Sequence, residues 1–136
     1  MTTSTSYGLG IRVPWPQEEA VERVAAALKE EGFGILTTID VQRTLKEKLQ
    51  LDSRPYVILG ACNPHLAHQA LQTEPEIGLL LPCNVIVYEA DGGTVVAAMD
   101  PAAALALAGN AALEPIAGEA RSRLERALGQ LSEAAA

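Results

Sequence analysis

The sequence predicts an α+β domain of two layers, with one five-stranded sheet and helices largely on one of its faces. Three observations lead there. Short segments that alternate or run apolar recur between helical patterns in the order β-α-β-α-β-α-β-β-α-α. The two neighbouring strand patterns are joined through Ala90-Asp91-Gly92-Gly93, whose Asp-Gly pair is a hairpin signal. A hairpin needs antiparallel strands, so the sheet is expected to be mixed or mostly antiparallel, which places the helices in a single layer.

Each element has a local reason. Residues 1–6 are small, polar and unpatterned, and are expected to be disordered. Tyr7, Leu9, Ile11 and Val13 alternate as a half-buried strand, which Pro14-Trp15-Pro16 stops. A helix from about 16 to 31 carries Val21, Val24 and Leu28 as its stripe, with Glu18 and Glu19 in its first turn and Gly32 at its end. Residues 34–39 read as a strand and Asp40 as the cap of a second helix, whose Val41, Leu45 and Leu49 point inward. The nearly continuous apolar run 56–61 reads as a central, covered strand. A third helix runs from Pro64 to about Thr73, where Pro75 ends it. Strands follow at 84–89 and 94–99. Asp100-Pro101 opens a short Ala/Leu helix that ends at Gly109-Asn110. The last helix spans about 113 to 131, buried along Ile116, Ala120, Leu124, Leu128 and Leu131, with fraying alanines beyond.

The whole chain sets bounds on function. At 136 residues it is one domain, taken as 7–136, and nearly half of it is apolar. One Trp, one Phe and three Tyr leave the core to aliphatic residues. A net charge of −7 opposes nonspecific binding to nucleic acid or anionic lipid. Arg43, Lys46, Lys48 and Arg54 cluster, and read as a solvated face. No apolar run approaches the ~20 residues of a membrane span, and Met1 to Ser6 does not read as a signal peptide. The expected location is cytoplasmic, where Cys62 and Cys83 are free thiols.

The densest chemistry lies in Gly60-Ala61-Cys62-Asn63-Pro64-His65-Leu66-Ala67-His68, where a strand meets a helix start. Three of the four Cys and His residues fall here, as Cys-x-x-His-x-x-His, and Cys83 follows Leu-Leu-Leu-Pro. Cys62, Asn63, His65, His68 and Cys83 are therefore the candidate ligand-binding residues. As metal ligands, Cys62, His65, His68 and Cys83 suit a zinc tetrahedron, with copper or iron on the same donors. As a nucleophile, Cys62 gains from the helix dipole about 0.3–1 kcal/mol, which lowers a thiol pKa by less than a unit. Against both stands the plain reading of a small buried cysteine and two solvated histidines. There is no Gly-x-Ser-x-Gly, Walker loop or Gly-x-Gly-x-x-Gly.

Tyr7, Gly32-Phe33, Ile39-Asp40, Cys62-Asn63-Pro64, Leu81-Pro82-Cys83-Asn84-Val85 and Asp100-Pro101, in this order, resemble the pattern of the domain of unknown function 302 (DUF 302) family. The resemblance runs from about Tyr7 to Leu131. It implies a compact bacterial or archaeal α+β domain and carries no catalytic assignment. The expected role is a non-catalytic module that binds a small ligand or a partner. One alternative is a thiol- or metal-dependent redox enzyme using Cys62 and His65. Another is a structural module that works as a homodimer, with the Ala-rich segment 101–117 either covered within the chain or exposed as a contact.

Overall fold

The computed structural model describes residues 5–136. The predicted disorder of residues 1–6 lies outside the described residues for 1–4, and Thr5 and Ser6 are exposed bends. The elements are β1 (Gly8–Val13), α1 (Gln17–Glu30), β2 (Gly34–Asp40), α2 (Val41–Leu49), β3 (Tyr56–Cys62), α3 (Pro64–Thr73), β4 (Cys83–Ala90), β5 (Gly93–Met99), α4 (Pro101–Leu105) and α5 (Glu114–Ala135). The 3-10 turn Pro75–Leu80, which the sequence reading passed over, joins α3 to β4.

The strands form one sheet in the order β1-β5-β4-β3-β2, and every neighbouring pair is antiparallel. The predicted α+β architecture is therefore present without any parallel pair. The tight turn of the β4–β5 hairpin has Asp91 at φ 40° and Gly92 at φ 78°, as a type I′ turn requires.

Register explains the core. Leu9, Ala98, Val85 and Leu59 lie in one row across β1, β5, β4 and β3, and Ile11, Val96, Val87 and Val57 lie in the next. These rows point to the helix layer, where Val24 and Leu28 of α1 and Leu124, Leu128 and Leu131 of α5 are buried against them. The opposite face, with Tyr56, Ile58, Ile86, Tyr88, Val95 and Ala97, is half buried. β3 is interior in the sheet and is the strand that α2 packs against. Tyr7 precedes β1 and is exposed, unlike Leu9, Ile11 and Val13.

The ends of the helices follow the expected chemistry. Gly32, at φ 85°, closes α1 with Gly32 N–H donating to Lys29 O at 3.0 Å and Phe33 N–H to Leu28 O at 2.9 Å. Asp40 accepts from Arg43 N–H at 3.0 Å, Asn63 from Leu66 N–H at 3.2 Å and Asp100 from Ala102 N–H at 2.9 Å.

Two expectations are corrected. α2 has its apolar stripe and packs against β3, but no residue of it is fully buried, and Leu49 is exposed. The final alanines do not fray: α5 continues to Ala135, which packs against the core. In segment 101–117, Leu105, Leu113 and Ala117 form a small cluster with Ala70 and Ile77. One side of that segment is covered by α3 and the 3-10 turn rather than by the hairpin, and Leu107 stays 79% exposed.

Core position should dominate the stability of this domain. Leu124 is fully buried, so Leu124→Ala is expected to cost about 2–5 kcal/mol. Leu45 on α2 is half buried, and Leu45→Ala should cost about 1 kcal/mol. Urea titrations of both variants check the contrast. Equal losses would mean that α2 is held as tightly as α5.

Candidate functional site

Two concavities frame the possibilities. The larger is a shallow groove of about 800 Å³ on the open sheet face. It holds all three tyrosines. Tyr56 and Tyr88 stack on each other with centroids 5.1 Å apart, and the Arg54 guanidinium lies 5.1 Å from the Tyr88 ring. Its cations are already engaged with backbone oxygens: Arg12 donates to Ala90 O and, at 2.7 Å, to Asp91 O, while Arg54 donates to Glu89 O at 3.3 Å. With its cations so engaged, the groove is an open sheet surface more than an anion site.

The second is a pocket of about 290 Å³ at the end of the sheet where β3 finishes and β4 begins. Cys62, Asn63 and Cys83 all belong to its wall. The antiparallel pairing of Ala61 with Cys83 explains why: it brings two cysteines 21 positions apart in sequence onto adjoining strand ends. The remaining wall is almost wholly carbon, from Phe33, Leu66, Leu80, Leu81 and Leu105 among others. Pro82, after a cis peptide bond with Leu81, closes the pocket between the two strands. Gly60 is required beside it, since a Cβ there would overlap Thr37 Oγ1 and lie 3.1 Å from Pro82 Cγ.

Asn63 is present as a fastener. Its Oδ1 caps α3, and its Nδ2 donates to Glu31 O, at the end of α1, at 3.5 Å. Arg123 of α5 donates to the same oxygen at 3.1 Å. The amide is therefore committed to α3 and to the end of α1, whose carbonyl Arg123 of α5 shares, and is not a spare ligand group.

The histidines go elsewhere. His65 and His68 are both exposed, and neither lines the cysteine pocket. At i and i+3 they share the outer side of α3, while Leu66, Ala67 and Ala70 turn inward. Among the described residues no group of three or more His, Cys, Asp or Glu side chains is placed to hold a metal ion, so the Cys₂His₂ tetrahedron suggested for zinc is not assembled. The residue that sequence reasoning missed is Met99, at the end of β5, which borders both this pocket and the open-face groove. A methionine at a strand end carries no signal of its own.

Both cysteines are free thiols. Burial pushes the Cys62 thiol up, and pushes Cys83 up to about 11, with the neighbouring Cys62 adding to it. No group lowers either one, so the helix-dipole effect expected at Cys62 is outweighed by desolvation. The remaining candidates have structural roles. Asp100 pairs with Arg121 at 3.2 Å, Glu74 accepts from Asn110 at 3.2 Å, and Arg23 lies over Trp15 at 4.2 Å. Of the basic cluster, Arg43 pairs with Glu47 and Lys46 with Asp52 on the surface. No helix among the described residues is long and apolar enough to cross a membrane.

The comparisons with known proteins agree with the resemblance. A family model described as "Domain of unknown function DUF302" matches residues 10–131. The crystal structure of an uncharacterized conserved protein, DUF302, from Bacillus stearothermophilus is similar at a TM-score of 0.86 and 34% identity, covering 92% of this chain and 98% of that one. No curated protein matches.

The thiol environment gives a reactivity order. Alkylation without reductant should label both cysteines, Cys62 first because it is less buried. With both pKa values raised, each rate should climb about tenfold per pH unit between pH 6 and 8, following the thiolate fraction. Mass spectrometry of the labelled peptides reads both. A rate at Cys62 that is flat above pH 7 would show a lowered pKa instead.

Proposed function

This chain belongs to the DUF302 family of domains of unknown function, and from that premise we propose that it is a non-catalytic binding module whose small ligand enters the pocket beside Cys62 and Cys83. The observation that carries the reading is a nearly all-carbon pocket of about 290 Å³, with two thiols in its wall. Small-molecule sites are typically concave and mostly apolar, with few polar groups that orient the ligand.

The alternative of a thiol-dependent redox enzyme using Cys62 and His65 has weaker support. An attacking thiol works as the thiolate. Cys62 has its pKa raised, and His65 lies outside the pocket. A general base also has to stand within hydrogen-bond reach of the proton it removes.

A probe of apolar concavities, 1-anilinonaphthalene-8-sulfonate, should bind saturably with enhanced fluorescence. Ala67 lines the pocket from α3, so Ala67→Trp should fill it and abolish the enhancement while the melting temperature holds. Undiminished probe binding by that variant, or no binding by the wild-type protein, would reject the pocket as a ligand site.

A second reading, association with another copy of the chain, is favoured by the flank of β2 and α2. Leu36, Ile39, Leu49 and Leu51 are 65%, 48%, 59% and 52% exposed there. β2 is an edge strand with neither Pro nor Lys to block pairing. Two identical edges can pair antiparallel about a two-fold axis, the commonest symmetry of soluble oligomers. Sedimentation equilibrium is expected to give about twice 14.3 kDa, falling to 14.3 kDa in Leu36→Lys. A mass of 14.3 kDa for the wild type at every micromolar concentration would reject it.

A further inference from the structure

We infer that the ligand of this pocket is an uncharged amphiphile, with its hydrocarbon chain beside Cys62 and Cys83 and its hydrogen-bonding head in a polar cleft between α3 and α5. The inference rests on the reading of the pocket as a ligand site, and names the class of molecule that fills it.

The first observation is that a second depression, of about 390 Å³, adjoins the carbon-walled pocket. Asn63, Leu66 and Ile116 line both. Leu66 and Ile116 are half buried, and the Asn63 amide is already bonded to Leu66 N–H and Glu31 O. The shared rim is therefore two aliphatic side chains and a committed amide. A hydrocarbon chain can cross it without stripping water from an unpaired polar group.

The second observation is the change of chemistry across that rim. The pocket wall carries no carboxylate, imidazole or guanidinium. The cleft carries His65 and Gln69 of α3 together with Glu119 and Arg123 of α5. Each pair is spaced i, i+4, so each lies on one side of its helix. The side chains of His65 and Gln69 are exposed and have no hydrogen-bond partner among the described residues. An amide offers both donors and an acceptor, and an imidazole offers two ring nitrogens. Polar groups able to receive a head thus stand next to a cavity able to receive a chain.

Charge and size narrow the class. Arg123 Nε pairs with Glu119 at 3.0 Å, and Arg123 Nη1 donates to Glu31 O at 3.1 Å. The two charges from α5 cancel within the cleft, so an ionic head finds no unpaired counter-charge on that helix, while hydroxyls can still bond to α3. The pocket of about 290 Å³ lies at the small end of ligand sites, which run from about 300 to 1,000 Å³. That favours a chain of octyl or decyl length over a membrane acyl chain. Binding forms and breaks no covalent bond.

The test is calorimetry of the full chain with octyl glucoside, kept below its micellar concentration, alongside displacement of the fluorescent probe. One molecule per chain is expected, bound at least about tenfold more tightly than octanoate or octyltrimethylammonium. Methyl glucoside, a head without a chain, should not bind, and Ala67→Trp should exclude the octyl chain. His65→Ala and Gln69→Ala change exposed residues, so the melting temperature should hold while octyl glucoside binds about twofold to tenfold more weakly, as loss of one hydrogen bond predicts. His68→Ala lines neither depression and should bind as the wild type does. Equal affinity for a charged octyl compound, or unchanged affinity in the double variant of His65→Ala and Gln69→Ala, would overturn the inference. The probe separates this failure from that of the pocket reading. Probe binding that octyl glucoside does not displace removes the amphiphile and leaves the pocket, and failure of both to bind removes both.

Discussion

The site depends on the side chain of Asn63, which ties the start of α3 to the end of α1 beside one strand end. Its oxygen caps α3 and its nitrogen reaches the last carbonyl of α1, which Arg123 of α5 also binds. An N-cap of this kind is worth about 1 kcal/mol, and a buried amide left without partners costs about 1–3 kcal/mol. Gly32 allows the close approach, since a Cβ there would stand 2.9 Å from Asn63 Nδ2. Cys62 directly precedes this fastener, so its place in the pocket wall is set by bonds that Asn63 makes. The amide supports the site from behind and stays out of its chemistry.

The pocket itself follows from composition. With one Phe and one Trp in 136 residues, the chain fills its interior with alanine and branched aliphatics. At the sheet end, where β3, β4, α3, α4 and α5 converge, the wall includes Ala61, Ala67, Ala70, Gly78 and Ala120. Small side chains on converging elements leave space that a Leu or Phe would have occupied. Under the sheet centre the same helices carry Val24, Leu28, Leu124 and Leu128, and there the core closes. The difference between a packed core and a pocket here is a matter of side-chain volume at a handful of positions.

Much of the fold was legible because its signals are local. Asp40, Asn63 and Asp100 cap helices as their positions announce, and Asp91-Gly92 makes the hairpin. What stayed hidden depends on neighbours far away in sequence. The stripe of α2 promised burial, but periodicity reports an apolar face without reporting whether anything lies against it. Segment 101–117 could be covered within the chain or exposed as a contact, and only folding shows Ala70 and Ile77 meeting one side of it. At the site, sequence proximity misled. His65 and His68 are near Cys62 along the chain, yet helical geometry turns them to solvent with Leu66 and Ala67 inward. Cys83 is distant along the chain and comes to the wall of the same pocket through strand pairing.

That substitution of partners changes the chemistry on offer. A cysteine beside a cationic histidine would be a nucleophile, because the positive charge stabilises its thiolate. A cysteine in a wall of hydrocarbon with one other thiol has no such help, and burial raises its pKa. The Cys83 thiol, pushed up to about 11, stays protonated in neutral solution. In such a pocket a thiol packs as a small polarizable apolar group. The same desolvation that makes these sulfurs poor nucleophiles penalises any solute that needs water or oxygen, since the wall offers nothing to exchange for its hydration shell. An apolar molecule, by contrast, loses little on entering.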